Sequence, residues 1–206
     1  MLKEKIYDFV ASNGIYWLQK LFPEYYAKEP LGLTDRCIEY PWAIRNIKLY
    51  QSMLCPIKIL DVGCSGSMFP FLIKAMGYEV YGNDIRKLPT GIEGYQGDIQ
   101  NTPYDDNTFD IITAISTVEH IGLKGRYGIE ENKVEIFVFN EIHRILKNGG
   151  IFLMTVPFDK EFRTEKFNRV YDELSLKILL RHFIYNTEFK DSPEGNYKLA
   201  LIRAIK

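Results

Sequence analysis

An apolar stretch that ends in a turn of small residues limits the possible folds of this chain more than any other feature. Ile57 to Val62 has the length and the β-branched content of a buried parallel strand. Four small residues follow it, Gly63, Cys64, Ser65 and Gly66. Residues 68–76 then predict a helix that ends at Gly77. Together they predict the first unit of a doubly wound α/β sheet, which binds ligands at the carboxyl ends of its strands.

A turn of this kind occurs in two sorts of protein, and the spacing of the glycines separates them. A dinucleotide-binding fold requires Gly-x-Gly-x-x-Gly, and counted from Gly63 the other two glycine positions hold Ser65 and Met68. Asp84, at the end of a second apolar strand, does follow at about the distance expected for a ribose-binding acid. The glycine pattern fails twice, which leaves a nucleotide-dependent oxidoreductase as the weaker alternative.

The residues around the turn are similar to a different family. Leu60-Asp61-Val62-Gly63-Cys64 and Asn83-Asp84-Ile85 resemble the first two motifs of class I S-adenosylmethionine-dependent methyltransferases. The resemblance implies a Rossmann-like, seven-stranded and mostly parallel sheet whose last strand is antiparallel. It also implies an enzyme with S-adenosylmethionine as its cofactor. A protein that binds this cofactor without catalysis is a second alternative.

The rest of the chain fits five parallel strands followed by a hairpin. The five strands are predicted over residues 57–62, 79–84, 92–96, 109–116 and 151–156. Strands at 183–189 and 197–205 are joined by a connection too short for a crossover helix, so they form an antiparallel hairpin. An apolar stripe over 134–146 predicts a helix that stops at Gly149-Gly150, and the charged segment 159–169 predicts a loop.

Residues ahead of the first strand predict a separate layer. Apolar residues recur there at helical spacing, and Pro41 is expected in the first turn of a helix. We therefore interpret residues 1–56 as a helical N-terminal cover and residues 57–206 as the cofactor-binding domain.

The methyltransferase resemblance also implies roles for residues at the strand ends. The methionine part of the cofactor would lie against Gly63, Cys64, Ser65, Gly66 and Ser116. Asp61 would accept from its ammonium group, directly or through water, and Asp84 would accept from both ribose hydroxyls. Asp98 would receive the adenine amino group, with Ile85 and Ile99 against the ring faces.

A narrower resemblance concerns the acceptor. Four stretches, 36–42, 118–123, 125–128 and 167–172, are similar to a group of small microbial methyltransferases that often accompany genes for surface or secreted saccharides. This implies methylation of an oxygen on a small-molecule or saccharide acceptor. Candidate substrate-binding residues are Glu39, Arg126, Tyr127 and Arg169. His120 directly follows the fourth strand and titrates near neutral pH, so it is the candidate general base, with a structural role as the alternative.

Composition bears on partners and location. The net charge is −1, so no whole-protein field attracts nucleic acid or an anionic membrane. The three cysteines have no paired spacing, which predicts neither a metal site nor a disulfide. No apolar stretch approaches the roughly 20 residues that cross a bilayer, and no signal peptide is evident. We expect a cytoplasmic protein of undetermined oligomeric state.

Overall fold

A computed structural model describes residues 34–50, 56–123, 134–195 and 197–206. Most of the predicted N-terminal cover lies outside the described residues, as do the candidates Arg126 and Tyr127. The boundary between a cover and a cofactor-binding domain therefore stays a prediction.

Seven strands form one sheet, and a two-stranded ribbon is separate from it. In chain order the strands are β1 Lys58–Val62, β2 Glu79–Asp84, β3 Glu93–Gln96, β4 Phe109–Ile115, β5 Leu146–Phe158, β6 Arg163–Thr164, β7 Arg169–Val170, β8 Ile184–Asp191 and β9 Lys198–Ile205. The large sheet has the order β3-β2-β1-β4-β5-β9-β8. Strands β1 to β5 are parallel, and β9 runs antiparallel to both β5 and β8. The predicted seven-stranded sheet with an antiparallel last strand is confirmed.

Among the described residues, four helices cover the two faces of the sheet. They are α1 Arg36–Tyr50, α2 Phe69–Ala75, α3 Val134–Ile145 and α4 Glu173–Leu179. Apolar residues of α1 and α2 pack against one face, and those of α3 and α4 pack against the other. Strand β4 is buried along its whole length because both of its faces are covered. A short 3-10 turn, Val118–His120, follows it.

Three sequence predictions of local structure are wrong. Helix α3 ends at Ile145, before the glycine pair, and Gly149 lies inside β5. The helix ends early because the backbone N–H groups of Asn107 and Thr108 donate hydrogen bonds to its last carbonyls. Helix α1 begins at Arg36, so Pro41 lies in its interior rather than in its first turn. The predicted loop over residues 159–169 contains the ribbon strand β6, which pairs with β7.

No helix within the described parts of the chain is both long enough and apolar enough to pass through a lipid bilayer.

Candidate cofactor and acceptor site

The turn after β1 has a backbone geometry that requires glycine at two positions. Gly63 and Gly66 have φ values of 78° and 83°, which favour glycine. Among the described residues, positive φ outside glycine is confined to Asn107 and Ser116, so Ser65 adopts no left-handed conformation. A Cβ atom on Gly63 would lie 2.4 Å from Oγ1 of Thr117. The turn therefore packs directly against the chain that leaves β4.

Cys64 faces inward from this turn. Its side chain is fully buried, and its Sγ would lie 2.6 Å from a Cβ atom placed on Gly82 of β2. Burial raises the pKa of the Cys64 thiol well above its ordinary value. The thiol therefore stays protonated and packs as a small apolar group, while the backbone of the turn is left to meet a ligand.

Asp61 is a buried carboxylate beside the turn. Its side chain is 2% exposed, and Oδ1 accepts a hydrogen bond of 2.7 Å from the hydroxyl of Thr113 on β4. Burial raises the pKa of Asp61 to about 7, although the Thr113 bond and the charge of Arg36 both lower it. A cation brought next to Asp61 would favour its ionised form. The residue therefore fits the ammonium group that the sequence resemblance places there.

Asp84 lies at the end of β2, and its carboxylate is already oriented. Oδ2 accepts from the backbone N–H of Ser65 at 2.9 Å, and Oδ1 accepts from that of Arg86 at 2.8 Å. The Arg86 guanidinium also pairs with this carboxylate at 3.2 Å and donates to the carbonyl of Ser65. Arg86 thus bridges the turn and the end of β2, at the position predicted for the ribose. Contact with ribose hydroxyls stays a prediction.

Of the predicted adenine residues, Ile85 follows β2, and Asp98 and Ile99 follow β3. Asp98 is half-buried, and its carboxylate accepts from the backbone N–H and the side-chain amide of Gln100 at 2.9 and 3.0 Å. Ile99 is buried, whereas Ile85 is 40% exposed. Asn83 donates to two carbonyls of this segment, which holds it beside β2. Their contact with an adenine ring stays a prediction.

Glu39 enters the site from α1 and meets the carboxyl ends of β4 and β5. Its side chain is fully buried, and Oε1 accepts from the hydroxyls of Ser116 at 2.6 Å and Thr155 at 2.5 Å. Oε2 pairs with Arg36 at 2.6 Å. Sequence reasoning assigned no role to Thr155 or Arg36. A hydroxyl inside the apolar strand Phe152 to Val156 was the available signal for Thr155.

His120 closes the 3-10 turn after β4. Its ring is mostly buried, and Nδ1 lies 2.6 Å from the backbone carbonyl of Phe167. A carbonyl can only accept, so Nδ1 carries the proton and Nε2 is the basic atom of the neutral ring. Nε2 lies 3.7 Å from Oε1 of Glu119. This geometry braces the ring and defines which atom could accept a proton, while the role as base stays a prediction.

Arg169 lies in the segment that supports the His120 turn. Its Nε is 2.8 Å from Glu135 of α3, and Nη1 donates to the carbonyl of Ile121 at 2.6 Å. The side chain is 8% exposed. Arg169 therefore ties the region of β7 to α3 and to the turn after β4, and its predicted contact with substrate stays a prediction.

The structure thus brings most predicted site residues to one edge of the sheet, at the carboxyl ends of β1, β2, β4 and β5. Asp61, the small-residue turn and Asp84 are adjacent there, and Glu39 and Ser116 bond each other. No group of three or more histidine, cysteine or acidic residues suited to a metal occurs within the described ranges.

Comparison with known proteins finds similarity to methyltransferases. Residues 60–154 match a family model described as a methyltransferase domain. A sterol 24-C-methyltransferase of Gibberella zeae is 32% identical over 57% of this chain and 33% of its own length. A ubiquinone biosynthesis O-methyltransferase of Rickettsia typhi is 26% identical over 60% of this chain and 51% of its own length. The chain therefore spans only about a third to a half of these curated relatives.

A solved structure shares the fold of this chain. It is a 1,6-didemethyltoxoflavin-N1-methyltransferase of Burkholderia thailandensis, with 1,6-didemethyltoxoflavin and S-adenosylhomocysteine bound. The TM-score is 0.64 at 17% identity, and the match covers 98% of this chain and 90% of that one. At this identity the likeness establishes the fold alone.

Proposed function

Residues 60–154 match a methyltransferase domain, as predicted, and on that premise we propose that this chain is an S-adenosylmethionine-dependent methyltransferase. The observation that carries the proposal is the joint placement of Asp61, the Gly63–Gly66 turn and Asp84 at the ends of two neighbouring parallel strands. Each residue has an ordinary structural explanation by itself. Together, Asp61 would supply a carboxylate for the cofactor's ammonium, the turn a backbone that a ligand can approach closely, and Asp84 a carboxylate for its ribose.

The cofactor fits the residues present. Its ammonium would lie at Asp61, whose raised pKa reflects a buried carboxyl group without a full compensating charge. The charge of Arg36 lowers the pKa of Asp61. Arg36 would hold the cofactor's carboxylate, because a guanidinium can donate two parallel hydrogen bonds to a carboxylate. Asp84 would hold the ribose. When bound, the cofactor supplies a methyl group on a sulfonium, which is an electrophile that needs no further activation.

The protein's contribution to the chemistry is position and proton transfer. An acceptor hydroxyl held near the turn after β4 would attack the methyl group in line, and proximity can supply much of the rate. Nε2 of His120 would accept the hydroxyl proton as the new bond forms, because Nδ1 already carries a proton directed to Phe167. Glu119, 3.7 Å from Nε2, would stabilise the resulting imidazolium.

The acceptor class is a narrower part of the proposal. A small-molecule or saccharide oxygen is supported by the sequence resemblance in the stretches around Glu39, His120 and Arg169. The two curated relatives are named for a sterol carbon and for an O-methylation in ubiquinone biosynthesis, so relatives with different acceptors share this domain. A cytoplasmic location and the absence of nucleic acid as a partner also stay predictions.

Calorimetry and a methyl-transfer screen together separate the three candidate functions. We expect the protein to bind S-adenosylhomocysteine and not NAD, and Asp84→Ala to weaken that binding by at least about tenfold, since hydrogen bonds to charged groups contribute about 1.5–3 kcal/mol. Binding of NAD instead would indicate an oxidoreductase. A labelled-methyl transfer screen against fractionated cell extract then tests catalysis, and cofactor binding with no transfer to any fraction would indicate a non-catalytic binding protein.

A further inference from the structure

The Glu39 side chain contacts three residues of the site, Ser116, Thr155 and Arg36, although sequence analysis predicted it as a substrate contact. We propose that Glu39 is a positioning residue that never touches the acceptor. One carboxylate oxygen fixes the turn that carries His120, and the other directs Arg36 toward the cofactor's carboxylate and away from Asp61. The second half of this inference rests on the proposed function, whereas the first half does not.

The first oxygen completes a ring of hydrogen bonds with Ser116 and Thr155. The backbone N–H of Ser116 donates to Oγ1 of Thr155 at 2.9 Å, and both hydroxyls donate to Oε1 of Glu39. Ser116 has φ of 44°, a left-handed conformation that is unfavourable outside glycine. The ring holds this conformation, and the chain then enters the turn that ends in His120. Glu39 therefore fixes the direction in which that turn leaves β4.

The second oxygen pairs with Arg36, whose side chain is 24% exposed. The charge of Arg36 also lowers the pKa of Asp61, so the guanidinium attracts that carboxylate as well. Without the Glu39 charge, Asp61 would be the attractive partner for Arg36. A guanidinium paired with Asp61 would compete with the cofactor's ammonium. Glu39 thus keeps the two cofactor-binding charges apart.

Burial argues against direct contact between Glu39 and an acceptor. The side chain has no exposed surface, and both of its oxygens already have partners at 2.6 Å or less. A buried carboxylate that lost these partners would incur a large desolvation penalty. An acceptor could therefore bind Glu39 only by disrupting the contacts that fix the turn and Arg36.

Two variants separate the two halves of this role. Glu39→Gln keeps an oxygen for Ser116 and Thr155 but removes the charge that holds Arg36. We expect calorimetry to show S-adenosylhomocysteine binding weakened by about tenfold in this variant, equivalent to about 1.4 kcal/mol. Thr155→Val removes the hydroxyl between Ser116 and Glu39. It should change the affinity by less than about threefold, because Arg36 and Asp61 keep their partners.

The effect of these variants on the Val118–His120 turn can be measured from the His120 ring without knowing the methyl acceptor. Long-range ¹⁵N–¹H NMR spectra distinguish the two ring nitrogens of histidine, and His120→Asn assigns the His120 signal among the three histidines. In wild type and in Glu39→Gln we expect His120 to be protonated on Nδ1. In Thr155→Val we expect that signal to shift or broaden, because the turn loses its anchor.

Glu141 provides a matched control. It is a buried glutamate that accepts from the Thr102 hydroxyl at 2.6 Å and pairs with Arg144 at 2.7 Å, as Glu39 does with Thr155 and Arg36. Glu141→Gln should lower stability, and it should leave both S-adenosylhomocysteine affinity and the His120 signal unchanged. Urea unfolding of every variant establishes the folded fraction to which each affinity refers.

The outcomes are distinct. If folded Glu39→Gln binds S-adenosylhomocysteine as wild type does, Glu39 does not direct Arg36. If Thr155→Val leaves the His120 signal unchanged, the ring does not fix the turn. Failure of the wild-type protein to bind S-adenosylhomocysteine would overturn the proposed function and the Arg36 half of the inference with it, while the NMR comparison would still decide the other half.

Discussion

Asp61 and Glu141 are both buried carboxylates that accept from a threonine hydroxyl, yet their pKa values move in opposite directions. Burial raises the pKa of Asp61 to about 7, because Thr113 and the nearby charge of Arg36 only partly compensate. Burial would raise the pKa of Glu141 as well, but bonds from Arg144 and Thr102 outweigh it and lower the value. The two pKa values differ because the described part of the chain supplies a bonded arginine, Arg144, to Glu141 and none to Asp61.

Glu141 belongs to the scaffold, and Arg144 gives it two charge-assisted hydrogen bonds of 2.7 and 2.8 Å. Among the described residues, Asp61 accepts a side-chain hydrogen bond from a single hydroxyl, that of Thr113, and has no guanidinium bonded to it. A carboxylate that is buried at the expense of stability is typical of a functional site. The protein completes the carboxylate of Glu141 with its own arginine, and the contrast supports the proposal that Asp61 binds a ligand.

The largest expected effect is that of Asp61→Asn. Asparagine can still accept from Thr113 but cannot pair with an ammonium, and losing one partner of a buried ion pair costs about 3–5 kcal/mol. S-adenosylhomocysteine affinity should therefore fall by at least about 100-fold in calorimetry. An affinity within a few-fold of wild type would show that Asp61 is no cofactor ligand.

The same variant should stabilise the cofactor-free protein at alkaline pH. The raised pKa of Asp61 means that its contribution to stability is present at low pH and is lost as pH rises through about 7. Asparagine does not titrate and has no such loss. The free energy of unfolding in urea should therefore rise for the variant, relative to wild type, between pH 4 and pH 8. A constant difference over that range would contradict the raised pKa.

Glu141→Gln should give the opposite pattern. Losing the charge that Arg144 binds should lower the free energy of unfolding by about 1–3 kcal/mol near pH 7. Because the folded-state pKa of Glu141 is lowered, its stabilisation is lost as pH falls through that pKa, below 4.5. The gap between wild type and variant should therefore shrink in acid. A stability difference between wild type and variant that grows in acid would contradict a lowered pKa for Glu141.

A smaller effect is expected from pH alone on the wild-type protein. Asp61 is mostly protonated at pH 6 and mostly ionised at pH 8, if its pKa is about 7. S-adenosylhomocysteine affinity should then rise by about tenfold over that range. Calorimetry at pH 7 in buffers of different ionisation enthalpy should show proton release on binding. The Asp61→Asn protein is the control, and it should show neither effect.

The smallest expected effect is that of Thr113→Val. The Thr113 hydroxyl lowers the pKa of Asp61, so removing it should move the midpoint of the pH-dependent affinity upward. The hydrogen bond contributes about 0.5–1.5 kcal/mol, which limits the shift to about one pH unit. An unchanged midpoint would indicate that Asp61 is not the group that titrates.

Local sequence was sufficient to predict the sheet and the position of the acidic residues at its strand ends. Asp61 and Asp84 could be placed because each ends a short apolar strand, and parallel strands bring their carboxyl ends to one edge. The helix after Gly66 could be placed because Pro70 and Gly77 mark its first turn and its end. All of these signals lie within a few residues of the feature they predict.

The parts that sequence reasoning missed depend on distant contacts. Glu39 and Thr155 are 116 positions apart, and no local pattern pairs them. The glycine pair at 149–150 looked like a helix stop, but Asn107 and Thr108 end α3 earlier from another part of the fold. Buried ion pairs such as that of Arg169 with Glu135 are equally invisible, because a charged residue in a sequence usually indicates solvent.

The strand order has a consequence for how the chain is made. Strand β9 is the last of the sequence, yet it lies between β5 and β8 and pairs with both. During synthesis β8 therefore emerges with no neighbour in the sheet, and β5 keeps an open edge until residues 198–205 arrive. Exposed strand edges favour pairing with other chains, and late, non-local pairing slows folding. A nascent chain of this protein thus exposes open strand edges, which favour aggregation, until β9 is made.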